Sequence, residues 1–583
     1  DLSPRPQSRA MTPAAHSPLL NTQPATLGVA IACLAPTLLA YNLTPASTLF
    51  NQLLALSAWG GVLVVFACRR PSFQMGGGAM AAVLALALCA LALLASALRL
   101  QAPQELGPLS TLFATAAVLW LGASEPLRDR PRFADGLAWG CLLAGLAGVL
   151  IGLIQVFAPQ LADGQWLARS GLAGRAIGNV RQPNHLATLL LMGCVALIWL
   201  AQRRNWPLAL GGALMGLLVF GVVLTASRTG LWFGVPLLVL WGLFDRQLPG
   251  RWRLLLLATP LLAGLAWLVL HWWAASGAGV FGAEARLDQE GAGSPSRLKI
   301  LANAWALLQQ QPWTGVGWGE FNRAWTLTPF PDRPVAFFDH SHNLPLQLLV
   351  ELGWPLGLVV MGLLLAALAQ ALRLAWRAQG DEALVRRAAL MLVVVVGLHS
   401  LLEYPLWYAY FLLPTAFALG LALAPEASAE ASAVPPSDWA PTRWMGMLLI
   451  FGCAYALWEF QRVSAIYQPG PRGESLQTRI ERGQLTVFFS RHADYAAATS
   501  MGANAAALAA AERTGHQLID VRLMMAWAKS LHAVGETDKA RYMVARLREF
   551  RSREGEAWLA TCADEPAAWF CKPPEKSYSW RDF

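Results

Sequence analysis

The chain has 583 residues, 56% hydrophobic and 14% charged, with a mean hydropathy of +0.43 and a formal charge of +9. That balance excludes a soluble globular protein, because most of the chain must lie in lipid, and the length exceeds one simple bundle. Nucleic-acid binding is excluded too, because the basic residues fall in short connections between apolar runs.

Residues 1–26 read as an N-terminal cytoplasmic extension whose first ten residues precede Met11. No A-x-A-like cleavage site follows, so the first apolar run is expected to serve as its own insertion signal. Runs able to cross a hydrocarbon core of roughly 30 Å then recur, such as AMAAVLALALCALALLASAL from Ala79 and GLAWGCLLAGLAGVLIGLIQVF from Gly136. No period-two alternation accompanies them, so they are helices rather than barrel strands. Spans are expected near residues 27–43, 52–68, 79–99, 109–123, 136–158, 184–201, 207–225, 230–244, 253–273, 343–371, 386–402, 406–424 and 442–460. The expected fold is an all-α polytopic membrane protein with about thirteen transmembrane helices in a domain covering 27–460.

Arginines punctuate every second connection: Arg69 and Arg70; Arg128, Arg130 and Arg132; Arg203 and Arg204; Arg246, Arg251 and Arg253; Arg373, Arg377, Arg386 and Arg387. The positive-inside rule makes those connections cytoplasmic, places the tail outside, and predicts a bacterial inner-membrane protein with a periplasmic working face. Two outer connections, 159–183 and 274–341, are too long to be turns and are expected to be functional. The second contains SRLKILANAWALLQQ, in which Leu298, Leu301, Ala302 and Trp305 recur at helical spacing; it is expected to lie on the membrane surface as a cover.

PEASAEASAVPPSD, from Pro425, reads as a flexible cytoplasmic linker. Residues 461–583 then form a small helical periplasmic C-terminal domain. Its segment WAKSLHAVGETDKARYMVARLREF is one helix-turn-helix unit around Gly535 with tetratricopeptide-like spacing. Cys33, Cys68, Cys89, Cys141, Cys194 and Cys453 lie in or beside apolar runs, where a thiol acts as a small hydrophobe. Cys562 and Cys571 lie in the exported tail without zinc spacing and are expected to form a disulfide there.

With this topology the polar residues at outer helix ends converge on one side. Arg169, Arg175, Arg181, Gln182, Asn184 and His185 come from the first long connection and the helix after it, and Arg228 from ASRTG. His340, His342 and Asn343 come from HSHN, and His399, Glu403 and Tyr404 from HSLLEYPL. Arginines on the outer side run against the charge rule and point to an anion. A pyrophosphate suits a guanidinium fork, although pairing with Glu320, Asp339 or Glu403 would also hold them. A histidine such as His342 can take a proton from a hydroxyl at neutral pH. Its competing roles are metal ligation, for which no further ligand set is evident, and helix capping, which suits His340 better. His185 and His399 read more readily as structural partners. TGVGWGEF, from Thr314, lacks the strand and the Lys-Ser/Thr ending of a nucleotide loop; Gly315, Gly317 and Gly319 instead permit a tight backbone near substrate. No G-x-S-x-G elbow is present.

RQPNHLA from Arg181, SRTG from Ser227, QPWTGVGWGEF from Gln311, HSHNLPLQLLVELGWPLG from His340 and HSLLEYPL from His399 resemble the O-antigen ligase and polymerase superfamily. Within it they look most like the bacterial protein O-oligosaccharyltransferases that glycosylate pilins. The resemblance implies transfer of a preassembled glycan from undecaprenyl pyrophosphate, held in membrane lipid, to a hydroxyl of a pilin-like acceptor protein. It implies no cofactor and no catalytic metal. It maps the essential histidine onto His342, followed by Asn343, Gly353 and Gly357, with Leu356 where the ligase pattern has a small residue, and the SRTG arginine onto Arg228.

In the resulting scheme His342 activates the acceptor while Arg181 and Arg228 hold the leaving pyrophosphate. Arg175, Gln182, Asn184, His185, His340, Asn343, His399, Glu403 and Tyr404 line the donor or acceptor surface. A ligase acting on lipid A core and a repeat-unit polymerase keep this chemistry with another acceptor. A transporter or flippase would instead place charges at the bilayer midplane and show inverted repeats.

Overall fold

A computed structural model of the protein describes residues 23–66, 75–100, 106–124, 130–290, 295–331, 333–335, 337–425, 440–468, 474–517 and 519–583. Among them the chain is helical throughout, with a lone β-bridge between Leu43 and Ala46. The first half comprises α1 (Gln23–Leu38), α2 (Leu49–Phe66), α3 (Gly77–Leu100), α4 (Leu106–Ser124), α5 (Arg130–Phe157), α6 (Pro183–Arg203) and α7 (Leu208–Leu224). A π turn, Thr229–Gly234, leads into α8 (Val235–Phe244), and α9 (Gly250–Leu257) meets α10 (Thr259–Ala275) at a 40° bend. The second long connection carries α11 (Gly282–Glu290), α12 (Pro295–Gln310) and α13 (Phe321–Leu327). Then come α14 (Leu344–Arg377), α15 (Gly380–Ser400), α16 (Ala409–Leu423) and α17 (Ala440–Tyr467).

The expected spans overlap described helices, 230–244 the π turn with α8 and 253–273 the bent pair α9 and α10. By length and composition six of the described helices can cross a membrane, namely α3, α4, α5, α6, α14 and α15, or seven counting the bent pair. The π turn with α8, and α1, α2, α7 and α16, are shorter apolar helices. Arg69, Arg70 and Arg128, and the linker after Pro425, lie outside the described residues, as does most of the N-terminal extension.

Helix α6 is apolar on every side and is buried from Pro183 to Ala201, as a helix at the centre of a bundle must be. It packs on α5, α7, α15 and the π turn. At the arginine-rich end the basic residues are tied down locally. Arg203 lies 3.3 Å from Asp135, which also accepts from Trp199 at 2.9 Å, and Arg386 binds Glu382 and the carbonyls of Ala422 and Ala424. The candidate site residues sit at the opposite end.

Two features extend the sequence reading. The apolar stripe of α12 read in the sequence faces outward, with Leu298 and Trp305 exposed, while Ile300, Ala304, Leu307 and Leu308 form a second, buried face. The tail holds more than one helical hairpin: α18 (Leu476–Gln484), α19 (Ser490–Ser500), α20 (Ala505–Thr514), α21 (Val521–Ala533), α22 (Thr537–Glu549) and α23 (Arg553–Ala560) pack in succession. Short alanine-rich helices such as α20 carry too few large apolar residues to show their period. Cys562 and Cys571 are disulfide-bonded, and the free cysteines Cys33, Cys89, Cys141, Cys194 and Cys453 are buried.

The glycine-rich connection before α13 has a definite structural task. Helix α14 breaks at Gly353, whose φ of 75° leaves the helical region. The break releases carbonyls that lipid cannot solvate. Val316 N–H donates to Val350 O at 2.8 Å, Gly317 N–H to Glu351 O at 3.1 Å, and Trp354 N–H returns to Pro312 O at 2.7 Å. A Cβ at Gly315 would stand 2.5 Å from the Glu351 carbonyl, at a backbone φ of 65°. Gly315→Ala is therefore expected to cost about 2–4 kcal/mol, read as a lowered melting temperature in detergent. An unchanged melting temperature would show that the two backbones can part freely.

Candidate active site

The site is built where four polypeptide segments end at the same level. Gln182 caps α6, its side-chain oxygen accepting from His185 N–H at 2.7 Å, and this places Asn184 in the first turn. Asn343 caps α14 in the same way through Leu346 N–H at 2.9 Å, and its Nδ2 donates to Leu401 O at 3.0 Å. His342 thus stands just outside a helix start, in a left-handed conformation with φ 59°.

Glu403, after α15, is the hub. It is buried, and Asn184 Nδ2 donates to its Oε1 at 3.0 Å while Arg297 of α12 pairs with the same oxygen. Its other oxygen lies 3.6 Å from His342 Nε2. Asn184 Oδ1 accepts from Ser227 Oγ at 2.6 Å, so the hub also anchors the turn that carries Arg228.

The His342 ring has a defined tautomer. Nδ1 is 3.1 Å from the His340 carbonyl oxygen, which can only accept, so Nδ1 carries the proton and Nε2 keeps its lone pair. Burial pushes the ring below the usual histidine range, against the opposing pull of Glu403. Aromatic rings wall it in: Phe338 and Tyr404 stand edge-on at 5.3 and 5.1 Å. His340 lies 2.7 Å from Asp339, stacks on Tyr404 and meets Trp407 edge-on. Burial raises the Tyr404 phenol, which therefore stays protonated at neutral pH.

The predicted arginines divide between two clefts. Arg228 lines one with Arg286, Trp232 and Trp267, and Arg175 and Arg286 donate to the Thr225 and Ala226 carbonyls of the same turn at 3.1 and 3.3 Å. Arg181, also left-handed at φ 57°, lines the other with Asn42, Asp163 and Arg169. Its guanidinium is bound to Asn51 Oδ1 and the Ala40 carbonyl, and burial lowers its pKa. His185 and His399 are core groups of α6 and α15: His399 bonds Thr188 Oγ1 at 2.8 Å, and His185 packs edge-on against Tyr408.

Sequence reasoning missed Arg297 and Arg286. Both lie in the connection assigned to a surface cover, where charge reads as solvation; the one available signal was that Arg297 opens an apolar helix on the outer side.

Residues 176–201 match the protein glycosylation ligase family, 213–361 the O-antigen ligase family, and 387–561 the C-terminal part of a virulence-factor membrane-bound polymerase family. Over these segments the chain is similar to O-antigen ligases and protein glycosylation ligases. A general O-oligosaccharyltransferase of Acinetobacter baylyi is 29% identical over 331 residues, 52% of this chain and 55% of the relative. A ComP-specific O-oligosaccharyltransferase of the same organism is 28% identical over 315 residues, 52% and 53% respectively. The chain thus spans about half the length of the curated relatives it matches. The ligase match contains Arg228, Arg286, Arg297 and His342, and the polymerase match contains His399 and Glu403.

Glu403→Gln leaves Arg297 without its counter-charge and is expected to destabilise the folded chain by about 1–3 kcal/mol, with part recovered on adding Arg297→Gln. Additive effects of the two substitutions on the melting temperature would show that the pair is not coupled.

Proposed function

We propose that this protein transfers a preassembled oligosaccharide from undecaprenyl pyrophosphate to a serine or threonine hydroxyl of a periplasmic acceptor protein such as a pilin. The observation that carries the reading is the neutral His342 with its Nε2 lone pair facing Glu403, one segment away from an arginine-lined cleft.

His342 Nε2 takes the hydroxyl proton as the acceptor oxygen attacks the anomeric carbon. Glu403, 3.6 Å from the same Nε2, stabilises the imidazolium that forms through its negative charge. The bond from the anomeric carbon to the pyrophosphate oxygen breaks, and the lipid pyrophosphate leaves with its charge held by Arg228. Arg175 and Arg286, bound to carbonyls of the Arg228 turn, add positive charge to that side. Arg181 joins them only by leaving Asn51 and Ala40, so its contribution accompanies donor binding. The exposed apolar side of α12 fits a cover resting on the membrane beside Arg297.

A second acceptor class is supported by the ligase and polymerase matches, which name no protein substrate. Co-expression with a lipid-linked glycan pathway, a pilin and lipid A core, followed by mass measurement of each, decides between them. Glycan on the pilin is the expected result, and glycan on lipid alone overturns the protein acceptor.

In a reconstituted assay His342→Ala is expected to abolish transfer, and wild-type rates in that variant would remove the base from the scheme. Arg228→Lys keeps the charge but loses the fork and is expected to weaken donor use at least tenfold. The pH profile has a defined sign. His342 works as the neutral base and is held below the usual histidine range, so activity falls only as pH drops through that lowered value. The acid limb of kcat/KM is expected below about pH 6.5. A limb at or above that pH would contradict a buried base.

A further inference from the structure

The tail domain and the catalytic connection are joined by a dense set of contacts that the proposed chemistry does not use. Arg333 is buried, with Nε on Glu549 Oε2 at 3.1 Å, NH1 on Trp325 O at 2.7 Å, and its guanidinium 4.4 Å from the Phe550 ring centre. Glu549 Oε2 also accepts from Phe330 N–H at 3.2 Å. Tyr542 Oη donates to Leu327 O at 2.9 Å, and Glu320 meets His516 Nδ1 at 2.8 Å. A buried, fully bonded arginine of this kind is strongly disfavoured unless its partners stay in place.

Two of these contacts continue to the catalytic ring. Phe337 stacks on Phe550 of the tail with ring centres 3.9 Å apart and planes 7° from parallel. The next residue, Phe338, stands edge-on to Trp325 at 5.6 Å and to His342 at 5.3 Å. Independently, Asn322 accepts from Ile519 N–H of the tail at 2.8 Å and donates from Nδ2 to Phe338 O at 2.9 Å. Phe338 is thus tied to the tail through Asn322 at its backbone and through Phe337 and Trp325, both packed on Phe550, and it forms one wall of the His342 pocket.

We propose that the C-terminal domain is part of the catalytic apparatus: Phe550 and Asn322 are positioning residues that hold Phe338, and through it the ring of His342, in register with Glu403. The inference rests on the role given to His342 above. It differs from a docking role for the tail, because it places the tail's effect in the chemical step rather than in acceptor binding.

The charged and titratable groups facing the ring come from every neighbouring segment: Glu403 after α15, Arg297 on α12, Tyr404, and Asp339 and His340 in its own connection. None of them belongs to the tail, so a change made at Phe550 alters no charge near His342. What it alters is burial, which holds the ring below its ordinary range. Loosening the Phe338 wall admits water, and the acid limb moves to higher pH.

The test uses the full chain in lipid nanodiscs with lipid-linked glycan and an acceptor protein. Phe550→Leu keeps apolar bulk but loses the stack; it is expected to lower kcat about tenfold, with little change in donor KM and an upward shift of the acid limb. Phe550→Tyr is expected to restore all three. Asn322→Ala cuts the second route without touching the stack and is expected to move the same quantities, which covers the case of a poorly folding Phe550→Leu. Wild-type kcat and an unshifted limb in folded Phe550→Leu or folded Asn322→Ala would overturn the proposal. A fully active His342→Ala would instead overturn the underlying reading of the site.

Discussion

A buried carboxylate is tolerated only when its neighbours neutralise and hydrogen-bond it, and in this protein the carboxylate of Glu403 sets that demand. Meeting it draws together Asn184 at the start of α6, Arg297 at the start of α12 and His342 before α14. Asn184 has one oxygen left after serving Glu403, and that oxygen holds Ser227. The turn bearing Arg228 is thereby fixed by the anion that faces the histidine. Polar and charged groups from distant parts of the chain share one reference point.

The same accounting of polar groups shapes the bundle below the site. Helix α14 can break at Gly353 because the connection before α13 supplies backbone donors to the exposed carbonyls. The break also places Glu351 where Gly319 N–H reaches it at 3.2 Å, while Gln347 joins Glu351 at 3.0 Å to Ser341 N–H at 2.7 Å. A relay of bonds therefore runs from the glycine-rich segment to the residue between His340 and His342. The glycines serve the histidine's segment through α14.

Much of this was legible in the sequence, and the gaps have physical causes. Apolar runs marked the helices because lipid demands them, and the arginine-rich connections marked one end of the bundle. His342, Asn343, Asn184 and Glu403 stood out as polar groups at apolar helix ends, and the structure brings them together. Partnerships across the chain were not legible. Nothing local says that Arg297 pairs with Glu403, more than a hundred positions away, or that Arg181 turns to Ala40 while Arg228 faces Arg286. The second apolar face of α12 was not legible either, because only packing against α14 and α13 decides which of its faces is buried. The tail's later-packing helices were missed because alanine fills their contacts.

Backbone strain adds a last step. Among the described residues five that are not glycine have positive φ, and Arg181, Ala226 and His342 are three of them. Left-handed geometry costs an ordinary residue about 1 kcal/mol or more, and it persists only where the surroundings over-determine it. For His342 the constraint comes from both sides. Asn343 must be extended to cap α14, with φ −151° and ψ 110°, so the helix cannot begin a residue earlier. The segment behind is held by Asn322 and the Ser341–Gln347 bond. Only a left-handed step joins the two, and that step turns the imidazole back onto the His340 carbonyl. The tautomer with its proton on Nδ1 is therefore a consequence of where α14 starts, and the cap at Asn343 fixes the histidine just outside the helix.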